Sequence, residues 1–326
     1  MLFFSCSNEL GLLTVTWGLK GDGSMFDFTQ DALRNNDDAE HMARIGDILI
    51  DTYDDIESMG KDQRHFSWIP TGFADLDSIL TGLSGGELIV VGARHAMGKT
   101  SFALNLVSNA AIQSRKGVVL FSMEMPRNQA ALRILCSVAR VDLQKVRRGE
   151  MTDEIHAALA VALPAVRSAP ICIDDTPGLT PRMLVSRCRE LQKENKLDFI
   201  VIDYIGLMQP DVVTGSQYQD INAICHALKA IALELDVPLL VCSQLARPGK
   251  DRTDRYPVLN DLRVSGSLES DADVVLLLHR DDYYGIKSKE QEICDVIVAK
   301  HRNGPLGIVK LIWLPQSSSF ANLSAE

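Results

Sequence analysis

The chain has 326 residues, 46% of them hydrophobic and 23% charged, enough apolar material for a full α/β core and one smaller appendage. Its seven cysteines are scattered and form no Cys-x-x-Cys pair, which speaks against a disulfide scaffold or a zinc site and fits a reducing, cytoplasmic setting; no apolar run approaches the ~20 residues that span a bilayer, so no membrane role is expected. The net charge of −10 is uneven: residues 26–62 carry 11 acidic and 3 basic side chains and residues 63–326 carry 30 and 29, so a nucleic-acid site in the main domain has to be a local basic surface or a channel formed by assembly.

The opening MLFFSCS is apolar but lacks a basic n-region, a sustained h-region and a cleavage site, so it does not read as a signal peptide. Met25 follows a Gly-Asp-Gly-Ser stretch and precedes a helical pattern; residues 1–24 are expected to be disordered or to precede the true start, within a disordered leader of residues 1–37. Met42, Ile45, Leu49, Tyr53 and Ile56 then recur at spacings of three and four among acidic residues. That pattern predicts an amphipathic helix, packed on its own domain or docked on a neighbouring subunit. Gly60 to Pro70 is polar, ends in proline and reads as a linker. The expected organisation is a leader (1–37), a linker helix and connector (38–66) and one large domain (67–326). In that domain apolar runs alternate with helical patterns, as in a mostly parallel sheet flanked by helices. Strands are predicted at 88–91, 118–122, 199–202, 239–243, 274–278, 296–299 and 309–313, and helices at 99–114, 127–139, 182–194 and 221–235. The last strands follow one another closely, which predicts an antiparallel edge.

The first strand runs into Val90-Val-Gly-Ala-Arg-His-Ala-Met-Gly-Lys-Thr-Ser101, a phosphate-binding P-loop between strand and helix. Backbone N–H groups across Ala93, Arg94, Met97, Gly98, Lys99, Thr100 and Ser101 would cradle the phosphates of a nucleotide such as ATP. Lys99 would reach the β- and γ-phosphates, and the Thr100 hydroxyl would ligate Mg²⁺. Ala93 stands where the strict pattern has its first glycine.

Four further segments carry candidate chemistry. Phe199-Ile-Val-Ile-Asp203 places a carboxylate at the C-terminal end of a strand, where it would hold Mg²⁺ beside a P-loop. Glu124, just past the second strand, is either a general base for an attacking water or a helix-start glutamate opposing the dipole. Gln244 ends another strand and is either a γ-phosphate sensor or a loop boundary. Lys300 and Arg302 lie two apart after a strand, on one side if extended; they are solvated surface cations or fingers aimed at a phosphate across a subunit boundary. Arg247, Lys250 and Arg252, followed by Arg263-Val264-Ser-Gly266, form a Gly/Ser-containing basic stretch with little aromatic content, suited to tracking a nucleic-acid backbone.

Taken together, the strings PTGFADLD, ARHAMGKT, FSMEMP, DDTPGLTP, FIVIDYIGLM, SQLARP, DLRVSGSLESDADVV and KHRNGPLG resemble the C-terminal ATPase half of the DnaB-type replicative helicases, from about Asp38 to Leu314. That resemblance implies an α/β, RecA-like P-loop NTPase fold and a hexameric ring that hydrolyses ATP with Mg²⁺ at subunit interfaces and translocates on single-stranded DNA. It implies Lys99 and Thr100 on phosphate and Mg²⁺, Glu124 as catalytic base, Asp203 as the Mg²⁺-holding acid and Gln244 as sensor. It makes Lys300 and Arg302 fingers on the neighbour's nucleotide, and puts Arg263 and the Val264 to Gly266 backbone on DNA phosphates. Partners implied are a helicase loader or related helicase subunits. The chain departs from the family in lacking its N-terminal primase-binding domain, in Val264 for a glutamate and His95 for a proline, and in having no Lys or Arg between Gln209 and Gln219. Primase coupling is therefore not expected, and DNA affinity is expected to be weaker or conditional. Two other readings stand beside the helicase: a RecA-like repair or recombination ATPase, and an assembly ATPase that modulates another helicase ring.

Overall fold

A computed structural model of the chain describes residues 68–246, 256–262, 266–284 and 292–323, together with 45, 46, 48, 49 and 53. The chain divides into two units, Met1–His65 and Phe66–Glu326. In the first, Ile45, Gly46, Ile48, Leu49 and Tyr53 are helical, as the spacing predicts, and their four apolar side chains are exposed; Met42 and Ile56 lie outside the described residues.

The second unit is built on a nine-stranded sheet in the order β3-β2-β4-β5-β1-β6-β7-β8-β9. Its strands are β1 (Leu88–Ala93), β2 (Val118–Ser122), β3 (Ile171–Asp174), β4 (Phe199–Asp203), β5 (Leu239–Gln244), β6 (Val274–His279), β7 (Ile293–His301), β8 (Gly307–Leu314) and β9 (Ser319–Asn322). The strands from β3 to β6 in that order run parallel, and β7, β8 and β9 are antiparallel, so the expected edge is present. The sequences explain the division. β1, β2, β4 and β6 are near-continuous Val, Leu, Ile and Phe and are buried from end to end, because helices cover both sheet faces. The β7 sequence ICDVIVAKH alternates buried and half-buried positions, as a strand with one covered face does.

One face carries α1 (Ala74–Leu80), α2 (Lys99–Ser108) and α3 (Arg127–Ala139), with Leu76, Phe102 and Ile134 in its core; the other carries α6 (Pro181–Lys193) and α7 (Gln217–Leu235), with Leu184 and Leu228. The short α4 (Leu143–Arg148) and α5 (Asp153–Ser168) lie between α3 and β3 in the chain, and α8 (Gly266–Asp271) immediately precedes β6. Among the described residues no helix is long and apolar enough to cross a membrane.

Several elements differ from the sequence expectation. β3 and β9 have four residues each, too few to show a period; parallel pairing of Val118 with Ile171 and the turn back from β8 create them. α5 is hidden by Pro164 inside an alanine-rich run, yet Thr152 caps its start by accepting from the Ile155 N–H at 3.4 Å. The expected linker overruns at its C-terminal end: Ile69 is buried and bridges Leu83 through two backbone hydrogen bonds of 2.8 and 2.9 Å, so the large unit is entered before Pro70.

Candidate active site

The site grows out of the β1–α2 junction at the C-terminal edge of the parallel strands, where open α/β sheets bind their ligands. Gly98 is required there twice over. Its φ of +98° lies in the left-handed region, and a Cβ would stand 2.8 Å from Cζ of Phe320 and 3.3 Å from Cζ3 of Trp313. Behind the loop Trp313 and Phe320 pack ring against ring, with centroids 4.8 Å apart, so the antiparallel edge buttresses the P-loop.

Lys99 and Thr100 open α2 and converge on Asp203, the last residue of β4, which is 3% exposed. The Lys99 ammonium donates to Oδ1 at 2.9 Å and the Thr100 hydroxyl donates to Oδ2 at 2.7 Å. Lys99 also lies 4.0 Å from Oε2 of Glu124 and 4.4 Å above the Tyr204 ring. Burial opposes the Lys99 charge, and the acidic groups around it, Cys242, Asp203 and Glu124, more than offset that, raising its pKa above the ordinary lysine range. Burial holds the Cys242 thiol well above its usual range.

Strand register brings the other groups to the same edge. Ser122 of β2 pairs with Asp203, which puts Glu124 two residues beyond, half-exposed at the cleft mouth; Ala93 pairs with Gln244, which ends β5 and is exposed. The cleft has a volume of about 290 Å³. Arg133 of α3, Tyr204, Trp313 and Ser318 join its walls, and sequence reasoning did not find them. Tyr204 had a signal in its adjacency to Asp203; Arg133, Trp313 and Ser318 had none, since α3 and the β8–β9 hairpin reach the cleft only through tertiary packing. Among the P-loop residues named from sequence, Ala93, Arg94, Gly98, Lys99, Thr100 and Ser101 line the cleft. Met97 is different: its side chain is buried in the core, so only its backbone faces the loop.

The oxygen atoms of Thr100 and Asp203 are the right chemistry for Mg²⁺, a hard cation that takes one or two carboxylates and completes its shell with water and substrate phosphate. Among the described residues no trio of His, Cys, Asp or Glu forms a metal cage.

Lys300 and Arg302 lie at the opposite edge of the sheet. Lys300 pairs with Val275 and Val275 with Val90, and Arg302 donates to Asp273, whose carboxylate accepts from the Leu88 N–H that starts β1. At ~3.3 Å per residue, the length of β1, about 17 Å, separates Arg302 from its own P-loop, and Lys300, level with Val90, is about 10 Å along the strand from Ala93. Both side chains point to the same side, as their spacing predicts, because both donate to the Ser270 carbonyl. Burial and then the charge of Arg302 lower the Lys300 pKa. Arg247, Lys250, Arg252, Arg263 and Val264 lie outside the described residues, and Gly266 is the first residue of α8.

A P-loop, a strand-end carboxylate bound to its lysine and threonine, and a glutamate on the adjacent strand end define a RecA-like P-loop nucleotide hydrolase. Residues 68–322 match the family of DnaB-like helicase C terminal domains, and the chain belongs to that family. It is 41% identical over 280 residues to the replicative DNA helicase DnaB of Geobacillus stearothermophilus, an alignment covering 86% of this chain and 62% of that protein. It is 35% identical over 322 residues to the DnaB of Leifsonia xyli subsp. xyli, covering 97% of this chain and 70% of the relative. Among solved structures, a DnaB-like replicative helicase studied with primase gives a TM-score of 0.78, 32% identity and coverage of 90% of this chain and 72% of that one. A second solved structure, an ATPase domain covered along its whole length by 87% of this chain, gives a TM-score of 0.81 at 34% identity. The chain thus spans about 62% of the length of the Geobacillus relative.

Proposed function

We propose that this protein is an ATP-dependent DNA helicase of replication, a motor that hydrolyses ATP at the interfaces of a hexameric ring and translocates on single-stranded DNA. The observation that carries this reading is the division of the catalytic set. Lys99, Thr100, Glu124, Asp203 and Gln244 gather at one edge of the sheet, while Lys300 and Arg302 stand toward the other, about 10 and 17 Å away along the strands. A site assembled from one edge of each of two subunits needs that separation, and it ties hydrolysis to the relative position of neighbours.

In the proposed reaction the P-loop amides and Lys99 bind the β- and γ-phosphates, and Lys99 must exchange its bond to Asp203 for the phosphate as the nucleotide enters. Thr100 and Asp203 would hold Mg²⁺, which would supply positive charge against the phosphates. Glu124 takes the proton of the attacking water, a role its exposure at the cleft mouth permits. Gln244, opposite Ala93 and one residue before Leu245, whose N–H bonds the Ala93 carbonyl, senses the γ-phosphate and moves the basic segment that follows. Arg302 and Lys300 of the adjacent subunit stabilise charge developing on the transferred group. Arg247, Lys250, Arg252, Arg263, Val264 and Gly266 contact the DNA backbone.

The test is ATP hydrolysis with and without single-stranded DNA, alongside particle mass under the same conditions. Strong stimulation in a hexamer-sized particle is the expected result. DNA-indifferent hydrolysis, or a particle that never exceeds a monomer, overturns the motor.

A further inference from the structure

At the sheet edge opposite the cleft lies a second charged cluster, built from residues of the strings DLRVSGSLESDADVV and KHRNGPLG. Asp273, between α8 and β6, has a side chain only 8% exposed and is held on both oxygens. Oδ2 accepts from the Leu88 N–H at 2.8 Å and from the Lys229 ammonium at 2.6 Å; Oδ1 accepts from Nη1 of Arg302 at 2.9 Å. Arg302 is fixed at two more points, by Nη2 donating to the Ser270 carbonyl at 2.6 Å and by its backbone N–H donating to the Asp273 carbonyl at 2.9 Å. Lys300 is seated on the same helix end, donating to the carbonyls of Glu269 and Ser270 at 2.6 and 3.1 Å.

The geometry points to Asp273 as the positioning residue for the Arg302 finger: its carboxylate sets the guanidinium for the nucleotide of a neighbouring copy, while the last carbonyls of α8 set Lys300 beside it. The inference rests on the reading that this pair acts across a subunit boundary. Four features support it. Guanidinium has five N–H donors in a rigid plane, and two bonds from Nη1 and Nη2 fix that plane while leaving donors over for a phosphate. The Arg302 side chain is 44% exposed, so its outward side faces away from the seat. Asp273 is itself immobilised by β1 and by Lys229 of α7, which lends the finger the rigidity of the central sheet. The seat is also continuous with the proposed DNA segment, since α8 begins at Gly266 and its carbonyls at positions 269 and 270 hold both cations.

The experiment uses the full chain with Asp273→Asn, which keeps the shape and removes the charge. A misplacement of about 1 Å costs on the order of 10²-fold in rate, so kcat for ATP is expected to fall roughly 10- to 100-fold, with KM for ATP changed less than about threefold. A merely structural role would not locate the damage in the neighbour, so Asp273→Asn subunits are mixed with Lys99→Ala subunits, which supply an intact finger, and Arg302→Ala subunits are mixed likewise as the reference. Recovery of hydrolysis matching the Arg302→Ala mixture supports the proposal. No recovery where Arg302→Ala recovers places the defect in the subunit's own site and overturns it, as does a kcat equal to or above that of the unaltered protein. Absence of recovery in the Arg302→Ala reference, with mixed particles present, overturns the cross-boundary reading itself. Should Asp273→Asn leave Lys229 unpaired and unfold the protein, the double change Asp273→Asn with Lys229→Gln removes both charges and carries the same test.

Discussion

Replacing Lys99 by methionine separates its part in the fold from its part in catalysis. Asp203 is 3% exposed and accepts two side-chain hydrogen bonds, from Lys99 at 2.9 Å and Thr100 at 2.7 Å. Methionine retains most of the length of the side chain and removes the cation, leaving a buried carboxylate with only the neutral donors Thr100 and Cys242. Breaking a buried pair by deleting one partner costs about 3–5 kcal/mol. For a domain of this size each kcal/mol corresponds to ~2–4 °C, so the melting temperature of nucleotide-free Lys99→Met in EDTA should fall by roughly 6–20 °C. Adding Asp203→Asn removes the stranded charge, and the double variant should regain most of that loss while remaining inactive. Millimolar Mg²⁺ without nucleotide should raise the melting temperature of Lys99→Met more than that of the unaltered protein, because the oxygens of Asp203 and Thr100 no longer compete with an ammonium. Calorimetry on the three proteins decides the matter. A single variant within about 2 °C of the parent, or a double variant no more stable than the single, would refute the reasoning.

Gly98→Ala should be damaging although alanine is small: strain at positive φ costs about 1–2 kcal/mol and a Cβ 2.8 Å from Phe320 adds ~1–3 kcal/mol of overpacking. Its melting temperature and its affinity for a fluorescent ATP analogue should both drop, and unchanged values would show that the loop is not held by the Trp313–Phe320 hairpin. Glu124→Gln should retain ATP binding while lowering kcat by roughly 10²- to 10⁴-fold, the usual worth of a general base, as read by single-turnover hydrolysis. The Lys300 pKa is lowered by burial and by Arg302, so the folded protein releases this proton at lower pH than an unfolded chain does. Stability attributable to Lys300 therefore rises as pH climbs through that window, while any rate that needs its cation falls earlier than for a free lysine. Lys300→Arg should move that alkaline limb upward, and an unmoved limb would count against Lys300 as its origin.

The contiguous parts of the site were legible because local chemistry dictates them. A β-branched run, a glycine that tolerates positive φ and a Lys-Thr pair opening a helix leave a mark within a dozen residues, and an apolar strand ending in Asp203 does the same. Length and pairing erased other marks. β3 and β9 are too short to show a period, Pro164 disguises α5, and Met97 sits inside a phosphate-binding string yet sends its side chain into the core. Arg133 and Trp313 carry no local signal at all.

For this protein, sequence by itself pointed to the residues suited to phosphate and located β1, β2, β4 to β8 and the helices α2, α3, α6 and α7, since both follow from side-chain type and spacing. Tertiary structure alone decided the edge to which each group was brought. Parallel register placed Glu124, Asp203 and Gln244 beside Lys99, and the antiparallel reversal at β7 carried Lys300 and Arg302 to the far end of the same sheet. The hold of Asp273 on Lys229 and Arg302, residues 44 and 29 positions distant, arises only when α7, β1 and β7 meet. Strand order and direction are long-range outcomes of packing, and no short run of residues encodes them.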